Sequence, residues 1–410
     1  MISLKAKSSF ILSIMIMGMI SSIKSLEENK LADLSYEAFN KAFLITKGSG
    51  GEDNSHTYYR TNLSTTHWLY YWQQCLVILM LADRHDFRGD TSNELKTLYS
   101  DLLEAFIAHE SYRGKWEDAR QNKDFSKIAQ ENGLSDWTWN DYNDDLLWAG
   151  VTFIRGYLIT GNEFYLKQAK WDWDLLYTRG WSEDFGGGIW WSVKKEEKSG
   201  LSNNPAVVMA CYLYQATNDT KYLDYAKKIY KWVKDKLYKD DGSVYEQLNG
   251  DGTYRNDFSI YNQGTFIEGA SLLYKFTGDK NYLQDAQKTI EFVMVNRVTN
   301  NGVMSGWKTE GTLQSEFARG IATLLKVEPS LWNYQGYFTK ERWPIIYYDW
   351  MRLNANAAWD TRDKTKDITG CEWEKVTPPE PSQGKTWEAD ACVSSVIMIN
   401  VTPEKNPQVN

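Results

Sequence analysis

A short segment that recurs three times at nearly constant spacing limits how this chain of 410 residues can fold. The copies centre on Tyr165, Tyr222 and Tyr282, which lie 57 and 60 residues apart, and each tyrosine is followed by Leu and then by Ala. Apolar residues at helical spacing precede and follow each copy, so each copy is predicted to be the tight turn of a helical hairpin. Asn218 and Gly278 suit the end of the first helix, where the chain often turns left-handed.

The segments at the other end of these hairpins are longer and rich in Gly, Asp and Asn, as in residues 183–191 and 240–264. Short turns at one end and long loops at the other predict a ring or solenoid of hairpins with one functional face. At about 60 residues per hairpin the chain holds about six hairpins, which can close into an (α/α)6 barrel, an all-α fold. An open solenoid is the alternative, but it would usually repeat more regularly and carry a capping repeat at each end.

The N-terminus has the order of a targeting segment. Two lysines precede an apolar run at residues 10–20, and serines follow it. This order predicts a signal peptide over residues 1–25 and a secreted protein, periplasmic or extracellular. The run is short for a transmembrane helix, so no stable membrane insertion is expected, and an uncleaved anchor is the alternative. Residues 26–410 are predicted to form a single domain that ends in a short polar tail from Pro403.

The charge balance and the composition exclude several classes of function. Lys and Arg number 46 against 54 Asp and Glu, whereas a nucleic-acid-binding protein normally shows a basic field. Aromatic residues make up 15% of the chain, and this surplus suggests a binding surface of flat apolar faces with polar edges. The four His form no metal motif, and neither a Gly-x-Ser-x-Gly elbow nor a phosphate loop is present. We therefore expect no metal and no cofactor, and a monomeric protein.

The cysteines give no sign of a metal site, because none of the four has CxxC spacing or a His partner. Cys371 and Cys392 are the nearest pair in sequence and could form one disulfide. Four buried thiols are the equally open alternative.

Two adjacent acids, Asp144 and Asp145, directly precede an apolar helical stretch at residues 147–154. They are therefore predicted near a helix N-terminus. Neighbouring carboxylates repel, so one of them tends to keep its proton near neutral pH. Glycoside hydrolysis needs that division, and adjacent residues suit the roughly 5 Å carboxyl separation of retaining enzymes. The alternative is that the acids only cap the helix and favour its dipole.

Five blocks in a fixed order resemble glycoside hydrolase family 76, the endo-α-1,6-mannanases. The first resembles the Asp-Asp signature of the family and consists of Asn143-Asp144-Asp145 with Trp148. The others are Gly187-Gly188-Ile189-Trp190-Trp191, Ser202-Asn203-Asn204-Pro205, Tyr261-Asn262-Gln263-Gly264 and Phe317-Ala318-Arg319-Gly320. The chain departs from the family pattern at Lys198-Ser199 and Leu313-Gln314-Ser315, which concerns outer subsites rather than the Asp pair.

The resemblance implies an (α/α)6 barrel, a retaining mechanism and α-mannan or an α-1,6-mannooligosaccharide as substrate. By position, Asp144 would be the nucleophile and Asp145 the general acid/base. The residues that it implies in substrate binding are Asn143, Trp190, Trp191, Asn203, Asn204, Tyr261, Asn262 and Gln263. One of the two tryptophans is expected in the core, and at least one of the paired asparagines is expected to cap the helix that starts at Pro205.

Other functions remain open at this point. A transglycosidase that acts on mannose-containing cell-wall glycans would share the fold and the intermediate. A non-catalytic carbohydrate-binding protein would keep the aromatic groove, but the intact Asp pair argues against it. An unsaturated uronide hydrolase would need a basic site that these loops do not show. Glu268 and Glu316 are expected to form structural ion pairs with Arg319.

Overall fold

The computed structural model describes residues 31–113, 123–304, 313–378 and 388–409. The predicted signal peptide, residues 1–25, lies outside the described residues. Within these ranges the chain is mostly helical, with thirteen α-helices and seven short strands.

Six helices form an inner ring in which each one contacts the next and the last contacts the first. They are α2 (Tyr71–Arg88), α5 (Asn143–Thr160), α7 (Gly200–Thr217), α9 (Ile260–Thr277), α11 (Leu313–Val327) and α13 (Ala389–Val401). The remaining large helices pack outside this ring and are α1 (31–43), α3 (Asn93–Arg113), α6 (Glu163–Gly180), α8 (Thr220–Lys236), α10 (Lys280–Asn296) and α12 (Tyr347–Asp360). A shorter helix, α4 (Lys123–Asn132), precedes α5. The predicted (α/α)6 barrel is confirmed.

The two rings differ in how much of each helix is apolar. Every residue of α13 is buried, and most of them are apolar, as expected for a helix inside a double ring. In α8, by contrast, one stripe is buried while its lysines lie at the surface. The core therefore lies in the layer between the rings and along the barrel axis.

The three predicted turns share one structure. They join α5 to α6, α7 to α8 and α9 to α10 at residues 160–162, 217–219 and 277–279. The middle residue of each has a positive φ, of 75°, 55° and 69°, and the third accepts a hydrogen bond from the backbone two residues later. The threonine hydroxyl at the first position accepts the N–H of the third at 3.2 Å in all three. The repeat is therefore a repeated helix stop and helix start.

The short strands lie in the loops that connect the helices. An antiparallel sheet joins β3 (Glu197–Ser199), β4 (Gln247–Asn249) and β5 (Tyr254–Arg255), with Lys198 opposite Leu248. Because β3 leads into α7 and β4 and β5 precede α9, this sheet ties together the loops that enter two inner helices. The other pairs are β1 (Leu44–Ile45) with β2 (Tyr58–Tyr59) and β6 (Gln335–Phe338) with β7 (Trp343–Ile346).

All four cysteines lie in the described ranges, where they are buried free thiols. This state agrees with the second of the two alternatives that the sequence left open. None of the helices in the described ranges is long and apolar enough to cross a membrane.

The shared turn predicts a measurable cap energy. In Asp279→Ala the N-terminus of α10 loses the side-chain oxygen that accepts the Asn281 N–H at 2.9 Å. We expect the free energy of unfolding in urea to fall by about 1 kcal/mol. The control is Asp224→Ala on the exposed side of α8, which should stay within about 0.5 kcal/mol of the wild type. Equal losses in both variants would contradict the assignment of this turn as a cap.

Candidate active site

The inner helices all begin at the same end of the barrel, the end that carries the long loops. Asp144 and Asp145 occupy the first turn of α5 there. The free N–H groups of a first turn and the positive end of the helix dipole favour negative charge at this position. The structure thus places the predicted pair at the mouth of the barrel.

Asp144 is half-buried, and its carboxyl group accepts one strong hydrogen bond from outside its own helix. Its Oδ2 accepts the indole N–H of Trp191 at 2.8 Å. Its Oδ1 is buried and accepts no hydrogen bond from the described residues. Burial raises the pKa of Asp144 to about 7, against the lowering effect of the Trp191 indole and the first-turn amides, and the charge of Glu197 adds to the rise. Desolvation therefore outweighs the donors, and this carboxyl group keeps a proton close to neutral pH.

Asp145 has different surroundings, although it is the next residue. It is buried, and its Oδ2 accepts the amide N–H of Asn140 at 2.9 Å. Asn140 is itself fixed because its Oδ1 accepts the backbone N–H of Tyr142 at 2.9 Å. Two adjacent carboxyl groups with unequal environments can divide one proton between them.

The loop between α6 and β3 brings Trp191 to this pair. The backbone N–H of Trp191 donates to the carbonyl of Glu197, and its own carbonyl accepts the N–H of Asn143, both at 2.8 Å. Its ring centroid lies 4.8 Å from that of Tyr142, whose side chain is 37% exposed. Trp191 and Tyr142 thus form an aromatic rim beside the carboxyl groups. Trp190 instead packs inside, with its indole N–H on the Ser182 hydroxyl at 2.9 Å.

Tyr261 reaches the site from the start of α9. Its hydroxyl accepts the indole N–H of Trp148, one turn after Asp144, at 2.8 Å. Burial raises the pKa of Tyr261, and the nearby charge of Asp144 adds to the rise. This contact joins the helix of the Asp pair to the helix two places further round the ring.

The other predicted polar residues are fully buried and bonded to the protein. Asn143 donates to the carbonyl of Trp190 and accepts from Arg179. Asn203 holds both backbone groups of Ile189. Asn204 on α7 bonds to the carbonyl of Asn262 on α9, whereas Asn262 and Gln263 bridge loops to α9 by bonding to Glu246 and to both backbone groups of Val244. Neither Asn203 nor Asn204 caps a helix that starts at Pro205, because α7 begins at Gly200 with Ser199 as its N-cap. The structure thus brings these residues to the mouth of the barrel as loop supports.

Sequence reasoning missed three residues that shape the site. Asn140 could have been found, because it lies in the same aromatic and acidic block as the Asp pair. Arg179 contacts Asn143 through its Nε at 2.7 Å, and burial lowers its pKa to about 10. Lys198, on β3, was noted only as a departure from a family pattern. Neither basic residue had a local signal, because both act across the fold.

Comparison with known proteins identifies the family. The family model of glycosyl hydrolase family 76 matches residues 46–410 of this chain. The chain belongs to glycosyl hydrolase family 76. The predicted resemblance is therefore confirmed.

Several relatives in this family have names that state an activity. The chain is 29% identical over 178 residues to mannan endo-1,6-alpha-mannosidase DCW1 of Candida glabrata, and the match covers 39% of each chain. The chain thus spans about two-fifths of the length of this curated relative. The α-1,6-mannanase of Salegentibacter sp. HEL1_6 shares the fold, with a TM-score of 0.70 at 23% identity over 92% of this chain and 98% of that one. The structure of an inactive variant of that mannanase, in which two consecutive Asp are replaced by Asn, was solved with α-1,6-mannotriose. It matches this chain with a TM-score of 0.71 at 22% identity, over the same shares of the two chains.

The raised pKa of Asp144 predicts a dependence of stability on pH. The pKa in the folded protein lies above the ordinary 3.8, so the folded state binds this proton more tightly than the unfolded chain does. Ionisation of Asp144 then costs stability as the pH rises from about 4 to about 7. Across this window the free energy of unfolding of Asp144→Asn should therefore rise relative to that of the wild type. We expect a rise of roughly 1–2 kcal/mol after allowance for partial exposure.

Urea unfolding of both proteins at pH 4 to 8 measures this difference. Asp240→Asn, at an exposed loop position, is the control and should show no such window. A difference between Asp144→Asn and the wild type that does not change with pH would contradict the burial argument.

Proposed function

We propose that the protein is an exported, retaining, endo-acting glycoside hydrolase that cleaves α-1,6-mannosidic linkages of mannan. One observation carries the proposal: two adjacent carboxyl groups with unequal surroundings lie at a helix N-terminus beside an aromatic rim. Burial and the single indole donor set Asp144 apart from Asp145, which the Asn140 amide holds. Such a pair supplies one ionised and one protonated carboxyl group, which is what retaining glycoside hydrolysis uses.

The first step starts from the form of the pair in which the proton that burial favours on Asp144 has passed to Asp145, so that Asp144 is ionised. Asp145 donates this proton to the glycosidic oxygen while an Asp144 oxygen attacks the anomeric carbon. The bond from that carbon to the leaving oxygen breaks, and a mannosyl ester of Asp144 forms. The Trp191 N–H stabilises the carboxylate form of Asp144 before attack and again as the ester bond breaks.

In the second step Asp145, now ionised, takes a proton from water. The oxygen of that water attacks the anomeric carbon, and Asp144 leaves as a carboxylate. Two inversions give net retention, and both carboxyl groups return to their starting states. A sugar hydroxyl in place of water would make the same site a transglycosidase.

The aromatic rim supplies the binding surface in this proposal. The faces of Trp191 and Tyr142 can stack on the C–H surfaces of a sugar ring. We assign to Tyr261, whose hydroxyl accepts the Trp148 indole N–H one turn after Asp144, a contact with the sugar that Asp144 attacks. The buried amides of Asn203, Asn204 and Gln263 act indirectly, because their polar atoms are bonded to backbone groups of the loops and of α9.

Mannan as substrate rests on the relatives. The Candida glabrata relative bears the name of a mannan endo-1,6-alpha-mannosidase, and the Salegentibacter protein was solved with α-1,6-mannotriose. That protein was inactivated at two consecutive aspartates, which supports the roles proposed for Asp144 and Asp145. Export rests on the predicted signal peptide. The monomeric state stays a prediction.

Product formation from linear α-1,6-mannan tests the proposal. The wild type should release mannooligosaccharides on chromatography, and the first product should have the α configuration at its new end by proton NMR. Asp144→Asn and Asp145→Asn should each lose at least about a thousandfold in rate. The matched controls are Asp240→Asn and Asp241→Asn, which change another adjacent pair of acids and should keep the wild-type rate.

Each other outcome has a definite meaning. Products longer than the substrate would make the protein a transglycosidase. Binding of mannan without turnover, unchanged in both variants, would make it a carbohydrate-binding protein. A β configuration in the first product would contradict the retaining mechanism.

The proton on the pair also predicts the alkaline limb of activity. Burial raises the pKa of Asp144 to about 7, so the pair holds its proton below this pH and loses it above. Without that proton the leaving oxygen has no acid, and kcat/KM should fall about tenfold per pH unit above pH 7. A pH profile on a mannooligosaccharide measures this limb, and a flat profile from pH 6 to 9 would contradict it.

A further inference from the structure

Lys198 is a buried cation without a carboxylate bound to it in the described part of the chain. Its side chain is fully buried, and its ammonium donates to the Ser182 carbonyl and hydroxyl at 3.0 and 2.9 Å. It also donates to the carbonyls of Asp184 and Gly187 at 2.7 and 2.6 Å. Three backbone carbonyls thus converge on one charge, in the manner of oxygens around a metal ion.

The segment that Lys198 gathers is the glycine-rich loop at 182–188. Gly186, Gly187 and Gly188 have φ values of 80°, 122° and 91°, and Phe185 has 59°. A Cβ at Gly188 would come within 2.6 Å of the Trp232 ring, so the loop is pressed against α8. Backbone in these conformations persists only where its surroundings hold it.

This loop leads directly into the tryptophan that touches Asp144. The residue before Lys198, Glu197, supplies the carbonyl that holds the backbone N–H of Trp191. The ammonium of Lys198 also lies 4.8 Å from the centroid of the Trp190 ring. Lys198 therefore supports the Trp190-Trp191 segment from the strand beside it and from the loop before it.

We propose that Lys198 is a positioning residue for catalysis, which holds the glycine-rich loop so that the Trp191 indole stays on Asp144. Without the ammonium the three carbonyls would face one another with no counter-charge, and the loop would open. The Asp144 carboxylate would then lose its one external donor. This inference rests on the proposed function for its effect on turnover, but its effect on Asp144 exists without substrate.

The proposal predicts the direction in which Asp144 titrates. The Trp191 hydrogen bond lowers the pKa of Asp144, so loss of that bond should raise it. Among the described residues, the titratable groups near this carboxyl group include Asp145, Glu197 and Tyr261, and Lys198→Met leaves all three in place. Burial lowers the pKa of Lys198 itself to about 8, which marks the cost of keeping a cation there.

The experiment titrates the protein without ligand, by carbon-13 NMR of labelled aspartate assigned with Asp144→Asn. Trp191→Phe sets the reference, an upward shift of the Asp144 midpoint by about one pH unit. Lys198→Met should give a shift of the same sign and size, and the double variant should shift no further. Lys194→Met changes an exposed lysine between Trp191 and β3, and this variant should titrate like the wild type.

Turnover gives the second measurement. Lys198→Met should lower kcat about tenfold to a hundredfold on α-1,6-mannooligosaccharide, with a smaller change in KM. If Lys198→Met does not fold, as judged by circular dichroism, Lys198→Gln replaces it, because its amide keeps two N–H donors without the charge. The expected shift has the same sign.

Three outcomes distinguish the positioning role of Lys198 from the proposed function. An Asp144 midpoint unchanged in the folded Lys198 variant would overturn the positioning role, and so would a shift in the double variant equal to the sum of the two single shifts. A matching shift in a protein that turns over no mannan would uphold the positioning role and reject the proposed function.

Discussion

The barrel is organised around Arg319, whose buried guanidinium reaches from α11 to α2 inside the inner ring. It forms a bidentate pair with Asp83 of α2 and a second with Glu316 of its own helix, at 2.7 to 3.0 Å. Asp83 also accepts from Arg155 of α5 at 3.0 Å. All four residues are at most 2% exposed. Removal of one partner from such a cluster leaves an uncompensated buried charge, at a cost of about 3–5 kcal/mol. The cluster therefore fixes which helices face one another and closes the ring.

The two glutamates near this cluster, Glu316 and Glu268, have different hydrogen-bond partners. Glu316 pairs with Arg319, as the sequence predicted. Glu268 does not bond to Arg319 but accepts the Tyr212 hydroxyl of α7 at 3.0 Å. Burial raises the pKa of Glu268 to about 7, although Arg319 and Arg155 lower it. Asp83 already occupies the second side of the guanidinium, so Glu268 extends the cluster to α7 and α9. Five inner helices thus share one polar centre.

The local parts of the fold could be predicted from sequence, and the long-range parts could not. The turn at residues 217–219 could be predicted from its own residues, because a residue that tolerates a positive φ is followed by a capping Asp. The Asp pair was placed correctly at a helix N-terminus for the same reason, since an apolar helical stretch follows it directly. Asn203 and Gln263 have side chains that suit a sugar equally well, and only the fold shows that Ile189 and Val244 occupy them. Lys198 has no local signal at all, because its four acceptors lie 11 to 16 residues away in a loop that sequence periodicity does not describe.

In the proposed mechanism Asp144 meets two opposed demands, and burial and the hydrogen-bond donors around it act on its pKa in opposite directions. A nucleophile must be ionised when it attacks, which favours donors around it, while a carboxyl group that shares a proton with its neighbour needs a site poor in water. Burial alone would hold the proton on Asp144. The indole of Trp191 shifts that balance toward the carboxylate without admitting water, because it offers one N–H and an apolar face. The balance therefore depends on where one ring lies, and the position of that ring depends on a loop held by a buried ammonium far from the axis. The rigid centre at Arg319 fixes the helices, whereas the proton that the chemistry uses is set by the loops that those helices support.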